Sequence, residues 1–241
     1  SGQESYASFN GPSLAPASSM TYELDIYINS FIEDMGHGAY IVSTGNHAPS
    51  DVWINLYADS VNSAGVNVLQ AHMRTGDALD LSIPSLSPVP LNTWVHATMI
   101  WNNDTYTFSY YLDGVFQGSV SNEAYNANYV DEIRVGNTSD DSGIENYADG
   151  FVKNFAIWSK ALNQSEINAY QNIILTGKED NLVHYWKFNE GSGNVIIDYA
   201  GGNDGFFNGD WLLISDNYTI SDSTTLNEIS FESLNNYEEY S

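Results

Sequence analysis

Short runs of alternating apolar and polar residues, each cut off by Gly, Asn, Asp or Pro, dominate this chain of 241 residues. Successive side chains of a strand point to opposite faces, so a period of two predicts half-buried strands and leaves little room for helices. Strands are predicted over Thr21–Ile28 (TYELDIYI), Asp51–Tyr57, Asn67–Met73, Trp94–Trp101, Tyr106–Leu112, Val115–Val120, Glu132–Val135, Gly150–Trp158 and Leu182–Phe188. Asp113-Gly114 joins two of these runs, a hairpin signal because a type I′ turn needs positive φ at both positions. One helix is predicted near 164–175, packing across one edge. Asn163 caps it, Glu166 completes a capping box, Ile167, Tyr170 and Ile174 share a face, and Gly177 ends it. Many strands with one short helix predict an all-β, two-sheet antiparallel sandwich of jelly-roll type over residues 1–214. Residues 215–241 hold Ser, Asn and acids with no basic group, and read as an acidic tail or linker. The alternative is that Ile220, Leu226, Ile229 and Phe231 add an edge strand.

Charge narrows the partners. Six basic against thirty-one acidic side chains give a formal net charge of −25. Such a chain repels nucleic acid phosphates and anionic membranes, and suits a medium rich in divalent cations. There is no Cys, hence no disulfide framework and no thiol chemistry. No apolar run approaches the ~20 residues that span a bilayer. The chain opens Ser1-Gly2 without a leader pattern and reads as a piece of a longer exported protein.

Four stretches then carry a family likeness. "NTWVHATMIWNNDTYTFSYYLDGVFQGS" resembles the W-x-H…W…Y-x-DG…G segment of laminin G-like and pentraxin-like jelly rolls. "FVKNFAIWSKALNQSEI" is similar to their strand leading into a W-x-x-x-L-x-x-x-E-I helix. "LVHYWKFNEGSGNVIIDYAGGNDGFFNG" resembles the terminal YW-x-F-x-EGSG stretch of bacterial laminin G-like repeats. "ASFNGPSLAP" resembles their opening F-D-G strand, with Asn10 where Asp is usual. The likeness covers roughly residues 6–211 in the family's order and implies a concanavalin A-like sandwich. That fold hosts lectins, adhesion modules and glycosidases alike.

Catalysis of the laminarinase type would need E-x-D-x-E, three carboxylates on one strand face serving as nucleophile and acid. "YELDIYI" supplies Glu23 and Asp25 but places Tyr27 third, so hydrolysis is not expected. The glycine-rich stretch lacks both a P-loop Lys and a helix-opening G-x-G-x-x-G, which excludes a phosphate cradle. Its Gly191, Gly193, Gly201, Gly202 and Gly205 supply turns. Asp198, Asn203 and Asp204 offer oxygens there, either to Ca²⁺ or to their own backbone in Asx-turns.

"VGNTSDDSGIENYADG" is the sharper metal candidate, because it aligns with the acidic calcium loop of pentraxins. The resemblance implies Asn137, Asp140, Asp141 and Glu145 as ligands, with Asn46 and Asp51 from the earlier "TGNHAPSDVW" loop. Five scattered His with no close pair argue against zinc. Sugar binding needs exposed rings and planar polar groups, for which Trp53, Tyr147, His47, Arg74 and Asn146 are the candidates. Trp94, Trp101, Trp158 and Trp186 are expected to fill the core, and His96 to be a satisfied sheet histidine. The sequence thus predicts a non-catalytic carbohydrate-binding or adhesion module, lectin-like and calcium-assisted, acting outside the cell or on its surface on a glycan or polysaccharide. A spacer or protein-binding domain is the alternative, and a glycoside hydrolase or lyase the remotest reading.

Overall fold

The computed structural model describes residues 6–11, 18–30, 39–44, 53–62, 65–75, 79–121, 132–136, 149–208, 212–220 and 224–230. They form two antiparallel sheets. The first runs β13 (Val195–Ile196), β14 (Gly205–Asn208), β1 (Tyr6–Asn10), β10 (Glu132–Val135), β3 (Ala39–Thr44), β4 (Trp53–Asn62), β5 (Gly65–Thr75), β6 (Leu79–Pro84). The second runs β15 (Leu212–Ile220), β16 (Thr224–Ser230), β11 (Asp149–Trp158), β2 (Met20–Ser30), β7 (Trp94–Asn102), β8 (Thr107–Leu112), β9 (Val115–Ser121). A further strand, β12 (Leu182–Trp186), pairs with β11.

Alternation places the core between the sheets. Tyr22, Leu24, Ile26 and Ile28 of β2 point inward with Ala97, Met99 and Trp101 of β7, and meet Leu56, Leu69, Ala71 and Met73 from the first sheet. Phe9 of β1 anchors the far side, its ring centroid 4.3 Å from that of Trp186 and within edge contact of Phe155 and Phe188. Asp113 and Gly114 both take positive φ, 47° and 72°, as the hairpin turn requires.

Several boundaries move. Tyr106 has φ 50° and belongs to the turn before β8, and Phe188 at φ 61° lies beyond β12. The helix α1 spans only Gln164–Tyr170, with the expected capping box at Asn163 and Glu166. Gln171 is its C-cap, so Ile174 leaves the helical face and is 69% exposed. Nor does α1 sit at an edge. Ile167, with Leu162 and Leu175, packs on Ile100, Ala156, Trp158 and Tyr185, on the outer face of the second sheet. A second apolar layer thus forms outside the sandwich, sealed by Tyr170 stacked on Trp158 at 4.5 Å. Strands β15 and β16 pair antiparallel, and β16 pairs with β11 at Phe151↔Ser230 and Val152↔Ile229.

Candidate functional site

The outer face of the second sheet reads as successive rows across β11, β2 and β7. Register places Phe151, Tyr27 and Trp94 in one row and Lys153, Asp25 and His96 in the next. Ala156, Glu23 and Thr98 form the third. The E-x-D pair of the sequence therefore faces away from the core, as strand alternation demands. Yet α1 and the segment after it roof the third row, and Glu23 is only 2% exposed.

Under that roof each carboxylate is tied to protein donors. Glu23 Oε2 accepts from the Trp158 indole at 2.8 Å and Oε1 from the Thr98 hydroxyl at 3.4 Å. Asp25 Oδ1 lies 2.7 Å from His96 Nδ1, and Oδ2 accepts from Asn154 Nδ2 at 2.7 Å. Tyr185 donates its hydroxyl to Asn154 Oδ1 at 2.9 Å, which extends the network to β12. Asn154 reaches Asp25 because β11 bulges there, with φ 54° at Asn154 and a register shift between Lys153 and Ala156. His96 Nε2 stands 3.5 Å from Glu23 Oε1, an ion-pair distance without hydrogen-bond alignment. Burial alone would lower the His96 pKa, but the Asp25 hydrogen bond and the close charges of Asp25 and Glu23 outweigh it and raise the value to about 9. The ring is therefore an imidazolium at neutral pH, shared by two carboxylates.

A cavity of about 10 Å³ opens among Glu23, Asp25, His96, Asn154, Gln171 and Tyr185. That is room for roughly one water, and no sugar ring enters it. Acid–base work on a glycosidic bond needs carboxyls that reach the reacting oxygen. These are spent on Trp158, Thr98, His96 and Asn154. Asn154, Tyr185 and Thr98 were not legible as partners, because they lie on other strands. The one sequence signal was the E-x-D spacing itself.

Tyr27, at the third position of that pattern, joins an aromatic row with ring centroids 5.5 Å from Trp94 and 5.5 Å from Phe151. Trp101, Trp158 and Trp186 are buried as expected, but Trp94 is not in the core. It stands half-buried on the outer face with Lys153 Nζ 3.8 Å over its ring. Trp94 opens β7 in the outward register, a position that alternation from the buried Val95 would have shown.

The glycine-rich stretch folds around Asp198. Its Oδ1 accepts from the backbone amides of Tyr185, Ala200 and Gly201, and its Oδ2 from Asn203 N and His184 Nδ1. Burial would raise its pKa, but the His184 bond and the amides of Tyr185, Ala200 and Asn203 hold it down at about 2. Five donors occupy its lone pairs, so Asp198 caps backbone as an Asx-turn does and has nothing left for a metal. Asp204 Oδ1 in turn accepts from Asp198 N at 2.9 Å. Among the described residues no group of three His, Cys, Asp or Glu is placed to hold a metal ion.

Of the sugar-binding candidates, Trp53 and Arg74 are directly opposed across β4 and β5. His47, Asn146 and Tyr147 lie outside the described residues, as do Asn46, Asp51, Asn137, Asp140, Asp141 and Glu145. The flanking strands fix where those segments are rooted. Thr44 pairs with Ile133 while Val135 pairs with Val42, so the last residues of β3 and of β10 lie at opposite ends of that strand pair.

Comparison with known proteins matches residues 1–168 to the model of the concanavalin A-like lectin/glucanases superfamily. Among solved structures, the fold is similar to a Bacteroides ovatus protein described as a proposed carbohydrate binder, at 19% identity and TM-score 0.64. The match covers 85% of this chain and 56% of that one, so the chain spans little more than half of that protein's length. It is also similar to a leech intramolecular trans-sialidase, at 13% identity and TM-score 0.51, over 71% of this chain and 28% of that one. A heptameric pentraxin of Limulus polyphemus aligns at 16% identity and TM-score 0.48, over 70% and 82% of the two chains. No curated protein matches the chain.

Proposed function

The chain belongs to the concanavalin A-like lectin/glucanases superfamily, and on that premise we propose that it is a non-catalytic carbohydrate-binding module of an exported, multidomain bacterial protein, assisted by calcium. The observation that carries the non-catalytic part is the engagement of Glu23, which is buried, and of Asp25, which is partly buried. Both carboxylates are committed to protein donors beneath α1, beside a space for one water. A glycosidase must admit both a sugar and a reacting water between its carboxyls.

Binding then falls to the strand ends and to the uncovered part of the sheet. Trp53 opposite Arg74 supports this reading, because register puts a ring-bearing and a cationic residue side by side at one end of the first sheet. The Bacteroides ovatus relative is proposed to bind carbohydrate, which fits the same role. Calcium is assigned to Asn137, Asp140, Asp141 and Glu145, hard oxygens on a strongly acidic chain, while Asn46 and Asp51 follow the end of β3, opposite the end of β10 from which that loop starts, and are left out of the set.

The test is a glycan array read with and without Ca²⁺, together with incubation on β-glucans and galactans. Specific binding that chelator weakens, with no turnover, is the expected result. Turnover abolished by Glu23→Gln would overturn the proposal, and so would an array blank under both conditions.

A further inference from the structure

Only part of the outer sheet face is roofed. Helix α1 covers the rows containing Glu23 and Ile100, and its apolar layer holds none of Phe151, Tyr27 or Trp94. Those three rings also lie outside the core cluster between the sheets. They sit in register on three adjacent strands, a band ~10 Å across at the usual strand spacing. Tyr27 and Trp94 keep part of their surface in solvent, while Phe151 is nearly covered and backs the row.

Lys153 stands beside this band with its ammonium on the Trp94 ring. The chain has six basic residues, and Arg134 and Lys160 each pair with a glutamate. Lys153 has no carboxylate within ion-pair reach among the described residues. Its cross-strand neighbour Asp25 has both oxygens engaged by His96 and Asn154. Lys178 and Lys187 are likewise in no ion pair among the described residues, and Lys187 also lies over the Tyr185 and Tyr199 rings; what marks Lys153 is its place beside the outer aromatic row. The row beside the rings is also locally balanced: Lys153 and His96 offset Asp25 and Glu23. The diffuse negative field of the rest of the chain is screened beyond ~8 Å at physiological salt.

We propose that the row Phe151–Tyr27–Trp94, with Lys153, is a docking face for a glycan bearing carboxylate groups. The inference rests on the carbohydrate-binding reading and gives that site its ligand class. A pyranose lies against the exposed faces of Trp94 and Tyr27, and its carboxylate takes Lys153 as a charge-assisted partner. The ammonium then exchanges a cation–π contact for a stronger hydrogen-bonded one.

The probes are uronate-bearing oligosaccharides, such as oligogalacturonates, against neutral oligosaccharides of equal length, at physiological salt. Wild type is expected to favour the uronates by about tenfold, the scale of one hydrogen bond to a charged group. Lys153→Met keeps the apolar stem and should bring uronate binding down to the neutral level. Trp94→Phe should weaken both classes and abolish any tryptophan fluorescence change on binding. Thermal melting of each variant establishes that it is folded, and the Lys153 variant carries the test if the Trp94 variant is not. Equal wild-type affinity for both classes, or unchanged uronate binding by Lys153→Met, overturns the inference. Loss confined to Trp53→Ala also overturns it, while the carbohydrate-binding reading stands with its site at the strand ends. No glycan bound by wild type under any condition overturns both.

Discussion

A histidine held between two carboxylates keeps its proton well above neutral pH, and His96 does so beside Asp25 and Glu23 on the outer sheet face. Its pKa is raised from 6.5 to about 9 on folding. A raised value means that the folded state holds the proton more tightly, so the stabilisation is complete below pH 6.5 and is lost as pH climbs through 9. The full effect is ~3 kcal/mol at ~1.4 kcal/mol per tenfold change in proton affinity. Urea unfolding between pH 6 and 10 should show falling stability for wild type and a flatter profile for His96→Gln. The variant should also be less stable at pH 6, because Asp25 and Glu23 lose their shared cation. Parallel profiles would mean that the imidazolium contributes nothing. The sequence showed that Glu23 and Asp25 lack a third carboxylate, and that His96 is a sheet residue. The rest of the network was not readable, since Asn154 reaches Asp25 only through a bulge and Tyr185 reaches Asn154 from a strand some thirty positions further on.

Among elements, α1 decides what the outer sheet face can do, because it closes the Glu23 row and leaves the Trp94 row open. Asn163→Ala removes a side chain that accepts from both Ser165 N and Glu166 N, and should cost ~1 kcal/mol. Tyr170→Ala should cost more, ~3 kcal/mol, because it strips the ring stacked on Trp158. Denaturant melts followed by tryptophan fluorescence check both, and a Tyr170 variant as stable as wild type would show that the roof is not held by that contact. The cap was legible because a capping box is a local pattern. The helix end was not. Ile174 kept the helical spacing, but the chain turns at Gln171 before reaching it. Strand β3 (AYIVST) and strand β14 (GFFN) went unread for a different reason. The first is a short apolar run without alternation, and the second hides among glycines that signal turns. Pairing with β10 and β1 makes them strands.

At the scale of the molecule, thirty-one acidic groups against six basic ones make self-repulsion a cost that a divalent ion can offset. An ion that binds only the folded chain stabilises it by ~2.7 kcal/mol at a hundred times its Kd. Melting temperature should therefore rise in millimolar Ca²⁺ and fall with chelator, while monovalent salt of equal ionic strength reproduces only the screening part. Asp140→Asn with Asp141→Asn should remove the calcium-specific part. Equal shifts in wild type and this double variant would place the ion elsewhere. The sandwich and the order of its motifs were legible because a period of two survives without knowledge of partners. Which loops share an end was not, because that depends on how β3 registers with β10. One such long-range pairing also sets a clock. Strand β1, residues 6–10, is hydrogen-bonded to β14, residues 205–208. Phe9 meets its aromatic partners Trp186 and Phe188 only there. During synthesis at ~5–20 residues per second, β1 waits on the order of 10–40 seconds for that neighbour. Until then the Phe9 side of β1 lacks its Trp186 and Phe188 partners and is available to a chaperone or to another nascent chain, so a slower ribosome lengthens the time in which that face stands uncovered.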